Sequence, residues 1–177
     1  MPRTISSVLM ATLLMGQVTT RTGAQEPKCA ATAIELDPDP NSAESRRALI
    51  AAAALLPSCP ARISVMDVTG AASGARARAL TLDAFTVPGN GWIYVVQQSE
   101  LLRRARSGCK VYIAVLATVL WHEMAHLAGA EEREARRAEE QLWTTFIRRG
   151  LVDHLTGLRY LEGLRRRPDD RDSPPVP

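Results

Sequence analysis

Five residues of the 177-residue chain carry a specific chemical possibility: His122-Glu123-Met124-Ala125-His126. Side chains four positions apart lie on one face of a helix, so the two imidazoles can address a single metal ion. Glu123 is turned about 100° from His122. That is too far round for an easy third ligand, but within reach of a water at the metal. A metal ion held this way lowers the pKa of its water towards ~7 and polarises a substrate carbonyl, while a carboxylate accepts and returns the proton. The chain has three histidines, and two of them fall in this run. The run also closes an otherwise apolar stretch, Val111 to Leu127, where two histidines and a glutamate would be costly without a partner.

The surrounding sequence indicates the elements that must position these side chains. A short stretch through Ile34-Glu35-Leu36 is broken by Asp37-Pro38-Asp39-Pro40. Asn41 or Ser42 can then cap a helix that runs to about Leu56 and stops at Pro57. Arg62 to Val68 alternates polar and apolar residues, as a half-buried strand does. A loop containing Gly70 and Gly74 leads to a possible strand near Ala79 to Leu82. The turn Pro88-Gly89-Asn90-Gly91 precedes a strand at Trp92 to Val96. From there the pattern is helical. Ser99 to Arg106 is a short helix ending near Gly108, and Val111 to about Leu127 is a central buried helix. Gly129 ends it, Glu131 opens another that reaches Arg149-Gly150, and a last helix covers Val152 to about Arg166. A single α+β domain over residues 25–166 is expected, helix-rich, with a small sheet. The Pro- and Asp-rich residues 167–177 read as a disordered tail.

His122-Glu123-Met124-Ala125-His126 resembles the signature of the zincin metallopeptidases, and the order of elements over roughly residues 60–145 fits that resemblance. The resemblance implies a zincin-like fold in which an edge strand ahead of the motif helix receives an extended peptide. Trp92 to Val96 would take that part. It also implies a zinc cofactor, a peptide or protein substrate, and Glu123 as general base. His126-Leu127-Ala128-Gly129-Ala130-Glu131-Glu132 is similar to the extended metzincin pattern, but Glu132 stands where that group has histidine and no Met-turn follows. A glutamate ligand on the next helix resembles the gluzincins instead. Glu132-Arg133-Glu134-Ala135 is similar to a Glu-x-x-Ala-Asp stretch of one such group, with Arg136 in place of the aspartate.

Helix geometry orders the candidates for the third metal ligand. Ala135, Ala138, Leu142 and Phe146 mark a buried stripe, with Glu131, Glu132 and Glu139 near it and Glu134 well off it. The short turn at Gly129 keeps the start of this helix close to His126, whereas Glu139 lies about 10 Å farther along. Glu132 is therefore preferred, ahead of Glu131 and Glu139. The bland alternative is a surface helix in which Glu132 pairs with Arg136. His154, the third histidine, is a further candidate, as oxyanion donor or as ligand.

The first residues read as an export leader. Arg3 precedes an apolar run, Val8 to Met15, and Thr22-Gly23-Ala24 offers small residues for cleavage after Ala24. The run is too short to span a bilayer, so no stable membrane anchor is expected once residues 1–24 are removed, and the mature chain would be periplasmic or secreted. The segment holds Arg3 and Arg21 and no acid, so its loss lowers the formal charge from +3 to +1. What remains is interleaved, as in Glu131-Glu132-Arg133-Glu134-Ala135-Arg136-Arg137, which excludes a nucleic-acid track as the ready reading. Of Cys29, Cys59 and Cys109, two could pair in an oxidising compartment, and sequence does not choose which. Two rivals to a peptidase follow: a zinc-binding module without catalysis, and a helical interaction protein in which the motif is accidental.

Overall fold

The computed structural model of the protein describes residues 28–166; the expected leader and tail lie outside the described residues. Ala33–Leu36 (β1) and Arg62–Met66 (β2) pair in parallel, connected through Ser42–Ala54 (α1). Alternation decides which face of each strand is buried. Ile34, Ile63 and Val65 turn inwards while Arg62 and Ser64 face outwards. Ile93–Val96 (β4) adds in parallel to β2, and the three-residue Ala84–Thr86 (β3) adds antiparallel to β4. The sheet order is β1-β2-β4-β3.

Two expectations are corrected here. The segment read as a loop and a possible strand at Ala79 to Leu82 holds a helix, Ser73–Ala79 (α2), followed by a turn. Its Ala-Arg alternation is favourable to helix despite Gly74. The edge strand ahead of the motif helix is β3, whereas the Trp92–Val96 segment supplies β4, an interior strand. Burial is the reason: Val95 and Val96 are fully inaccessible, and an apolar run covered on both sides belongs inside a sheet.

Glu100–Ala105 (α3), Lys110–Leu127 (α4), Glu132–Arg148 (α5) and His154–Arg165 (α6) complete six helices and four strands among the described residues, a helix-rich α+β architecture. Ser99 caps α3 by accepting from the Leu102 amide. The motif helix α4 is central. It packs against α1, α3, α5, β3 and β4, with Ala114, Leu116, Ala117 and Leu120 buried. Each fully buried leucine there contributes about 1.5–3 kcal/mol of transfer free energy. That is why the polar end of the helix can be held rigidly. The inner face of the sheet closes the same core through Ile63, Val65, Ile93 and Val95. Its outer face carries the stacked Phe85–Tyr94 pair and Arg62 over the Trp92 ring.

Helix α6 seats on α5 by close approach. The Trp143 indole N–H donates to the Gly157 carbonyl at 2.8 Å, and a Cβ at Gly157 would collide with the Ile147 side chain. Cys29 and Cys59 form a disulfide that ties the start of the described chain to the segment after α1, and Cys109 is a free, exposed thiol. Among the described residues no helix is long and apolar enough to cross a membrane.

Candidate metal centre

The last turns of α4 bring His122 and His126 onto one face, with their Nε2 atoms 3.1 Å apart. Glu132, the first residue of α5, places Oε2 at 3.2 Å from His126 Nε2 and 3.5 Å from His122 Nε2. These three atoms lie on a circle of radius about 1.9 Å, so a point at the ordinary metal–ligand length of about 2.05 Å sits about 0.8 Å off their plane. A regular tetrahedron of that bond length needs about 0.7 Å, leaving its fourth corner open. The donor set thus fits a metal ion, and His122, His126 and Glu132 are the one such group among the described residues.

Local structure fixes each of the three side chains. Helix α4 ends in a turn where the Gly129 amide donates to the His126 carbonyl and the Ala130 amide to the Ala125 carbonyl, both at 2.9 Å. Gly129 takes a φ of +92°, which a side chain disfavours. The same turn delivers the Ala130 carbonyl to within 3.0 Å of His126 Nδ1, which fixes the proton on Nδ1 and leaves Nε2 as the donor to a metal. His122 Nδ1 lies 3.2 Å from Oε2 of the buried Glu139, at an angle bent from the straight N–H···O line. Glu132 divides its two oxygens: Oε2 faces the histidines, and Oε1 accepts from Arg136 Nε at 2.6 Å. The anticipated Glu132–Arg136 pair therefore forms, and it leaves Oε2 turned towards the histidines.

The alternatives for the third ligand are placed elsewhere. Glu131 is the N-cap of α5 and forms a reciprocal capping box with Glu134, so its carboxylate is committed to the helix end. Glu139 stands behind His122 on its Nδ1 side, two helical turns beyond Glu132. His154 opens α6, is exposed, and does not line the cleft.

Electrostatics suit the geometry. Burial works against ionisation of Glu132, but the Arg136 hydrogen bond, together with His122 and the Arg136 charge, holds its pKa below the usual carboxylate value. His122 is pulled down by burial, yet Glu139, Glu132 and Glu123 outweigh this and raise it. Glu123 is 7% exposed, and burial raises its pKa against the opposing pull of His122, His126 and the Thr86 side chain.

Glu123, His122, His126 and Glu132 line one open cleft of about 1250 Å³, whose opposite wall is β3 with its flanking residues. The Val96 amide donates to the Asp83 carbonyl, so in the alternating ladder Phe85 exchanges its bonds with Tyr94, and the N–H and C=O groups of Ala84 and Thr86 point to the open edge. Sequence reasoning did not single out Thr86 or the positioning part of Arg136. The i, i+4 spacing of Glu132 and Arg136 was the available signal for the latter. No known family matches the chain, and neither a curated protein nor a solved structure matches it.

Proposed function

We propose that the protein is an exported zinc-dependent peptidase of zincin-like construction, in which His122, His126 and Glu132 hold the ion and Glu123 is the general base. The observation that carries this reading is the coincidence, in one cleft, of a three-donor triangle of metal-binding size with a buried carboxylate and an open sheet edge. Zinc bound there supplies Lewis acidity, acidifying a water and polarising the scissile carbonyl.

The chain's own groups do the rest. An extended peptide adds to β3 through the outward amides and carbonyls of Ala84 and Thr86. Glu123 then removes a proton from the attacking water as its oxygen bonds to the carbonyl carbon. Glu123 passes that proton to the amide nitrogen as the C–N bond breaks. Burial serves this role, because a carboxylate whose pKa is lifted towards neutrality is a better proton acceptor than an exposed one. Export is supported by the Cys29–Cys59 disulfide, a bond that persists in oxidising compartments.

Elemental analysis of the purified mature protein, with His126→Ala alongside, tests the centre. About one zinc per chain is expected, lost in the variant. Two histidines and a carboxylate also suit ferrous iron, so iron in place of zinc would overturn the assignment. A fluorogenic peptide screen with Glu123→Gln as control tests the activity. Zinc retained by both proteins with no cleavage by either would leave a zinc-binding module.

A further inference from the structure

Helix α6 contributes no metal ligand, yet one of its side chains reaches the centre through an intermediary. Glu139 is 2% exposed, and among the described residues its ion-pair partner is His122. A buried carboxylate is costly unless each oxygen meets a donor. Oε2 faces His122 Nδ1 at 3.2 Å, and Oε1 accepts from the Tyr160 hydroxyl at 2.7 Å. The carboxylate can only accept, so the single phenolic proton is directed onto it. The Thr118 hydroxyl lies 3.2 Å from the same phenolic oxygen, joining α4, α5 and α6 at one point.

We propose that Tyr160 is a positioning residue of the metal centre, acting through Glu139 to keep the His122 proton on Nδ1 and Nε2 free for the ion. The inference rests on the metal-centre reading above, but not on catalysis. Its physical basis is that a single orientation of Glu139 accepts from Tyr160 through Oε1 and sets Oε2 at 3.2 Å from His122 Nδ1. Withdrawing the phenol leaves Oε1 without its donor, so the carboxylate is free to rotate and Oε2 no longer stays beside His122 Nδ1. The seat of Tyr160 is itself rigid: its ring lies 4.2 Å from that of Trp143, whose indole is bonded to Gly157 of the same helix.

The test is zinc affinity, by competition with a chromophoric chelator, for the full mature chain and for Tyr160→Phe, Glu139→Gln, Glu139→Asp and the Tyr160→Phe/Glu139→Gln double variant. Nitrogen-15 spectra of the histidine side chains in the zinc-loaded proteins accompany it. Loss of an outer hydrogen-bond partner weakens zinc binding by about 10–100-fold, and Glu139→Gln is expected in that range. Tyr160→Phe is expected to lose about tenfold, with a melting temperature near wild type and faster exchange of the His122 Nδ1 proton. Glu139→Asp keeps the charge with a shorter reach and falls between wild type and Glu139→Gln. The double variant is expected to bind no more weakly than Glu139→Gln alone, because the two residues act in series. Wild-type affinity in Tyr160→Phe, or losses that simply add in the double variant, would overturn the relay. A wild-type chain that binds no zinc would instead overturn the centre itself.

Discussion

His126 Nδ1 and the carbonyl oxygen of Ala130 are 3.0 Å apart, and the amide of that same Ala130 closes the turn that ends α4. Helix termination and orientation of the His126 ring are thus one event. Gly129→Ala places a side chain at φ +92°, which costs about 1–2 kcal/mol. Thermal denaturation is expected to show the loss as a fall of about 2–8 °C. Zinc affinity is expected to fall with it, since the Ala130 carbonyl and Glu132 both follow the turn. An unchanged zinc affinity in a destabilised Gly129→Ala protein would separate the two effects and refute the coupling.

Chelation of zinc should lower the melting temperature of the wild type, since an ion bound to the folded state at 100 times its Kd adds about 2.7 kcal/mol. The increment depends on pH. The raised His122 pKa means that the metal-free fold gains most from this group below its ordinary value of 6.5 and loses that gain as pH rises through the raised one. Zinc must displace the same proton, so its stabilising increment is expected to shrink as pH falls from 8 to about 5. Melting curves with zinc and with chelator across that range measure it; a constant increment would contradict the assignment of His122 as ligand.

Glu123 is held at a cost. Its raised pKa means that the folded state prefers the neutral acid, so its favourable contribution is present below 4.5 and is lost as pH rises through the raised value. Glu123→Gln is therefore expected to melt higher than wild type at pH 7 in the metal-free form, with the difference narrowing towards pH 4.5. Hydrolysis should fall by about 10²–10⁴ in the same variant. A variant less stable at pH 7 would show that the carboxylate is structural.

Three apolar side chains stand exposed in the cleft. Leu82 and Val87 are each 43% exposed and Leu127 is 38% exposed, all three lining it. Peptides with leucine or phenylalanine beside the scissile bond should be cleaved with kcat/KM about 10-fold or more above matched peptides carrying aspartate there. Leu127→Lys should narrow that preference, and equal rates on both series would remove these side chains from substrate recognition.

The Cys29–Cys59 disulfide spans a separation of 30 residues, and closing a loop of that length stabilises by about 2–4 kcal/mol. Reduction, or paired replacement by serine, is expected to lower the unfolding free energy measured by chemical denaturation by that amount while leaving zinc stoichiometry unchanged. Loss of zinc in the serine variant would show that the disulfide also holds the metal centre in shape.

Local geometry explains what the sequence made legible. The motif could be read because i, i+4 spacing is a property of one helix. Glu132 could be preferred because a short turn at Gly129 leaves the following helix little room to move away. The strand identity of Trp92–Val96 was visible in its residues, but its interior place was not, since order in a sheet is set by pairing across some thirty residues, as Ile63 with Ile93. The helix at Ser73–Ala79 was obscured by Gly74, which argues against a helix locally. The partnership of Tyr160 with Glu139 depends on how α6 seats on α5, which no periodicity records.

Strand β3 is three residues long, and only Ala84 and Thr86 offer outward backbone groups before Pro88, which has no amide proton. So short a landing strip can recruit only a brief run of chain that is already extended or has come loose from its own structure. On the proposed activity, the protein would sort its targets by conformational state as much as by sequence. Frayed ends and misfolded segments would be consumed, and intact neighbours spared, with no separate recognition domain required.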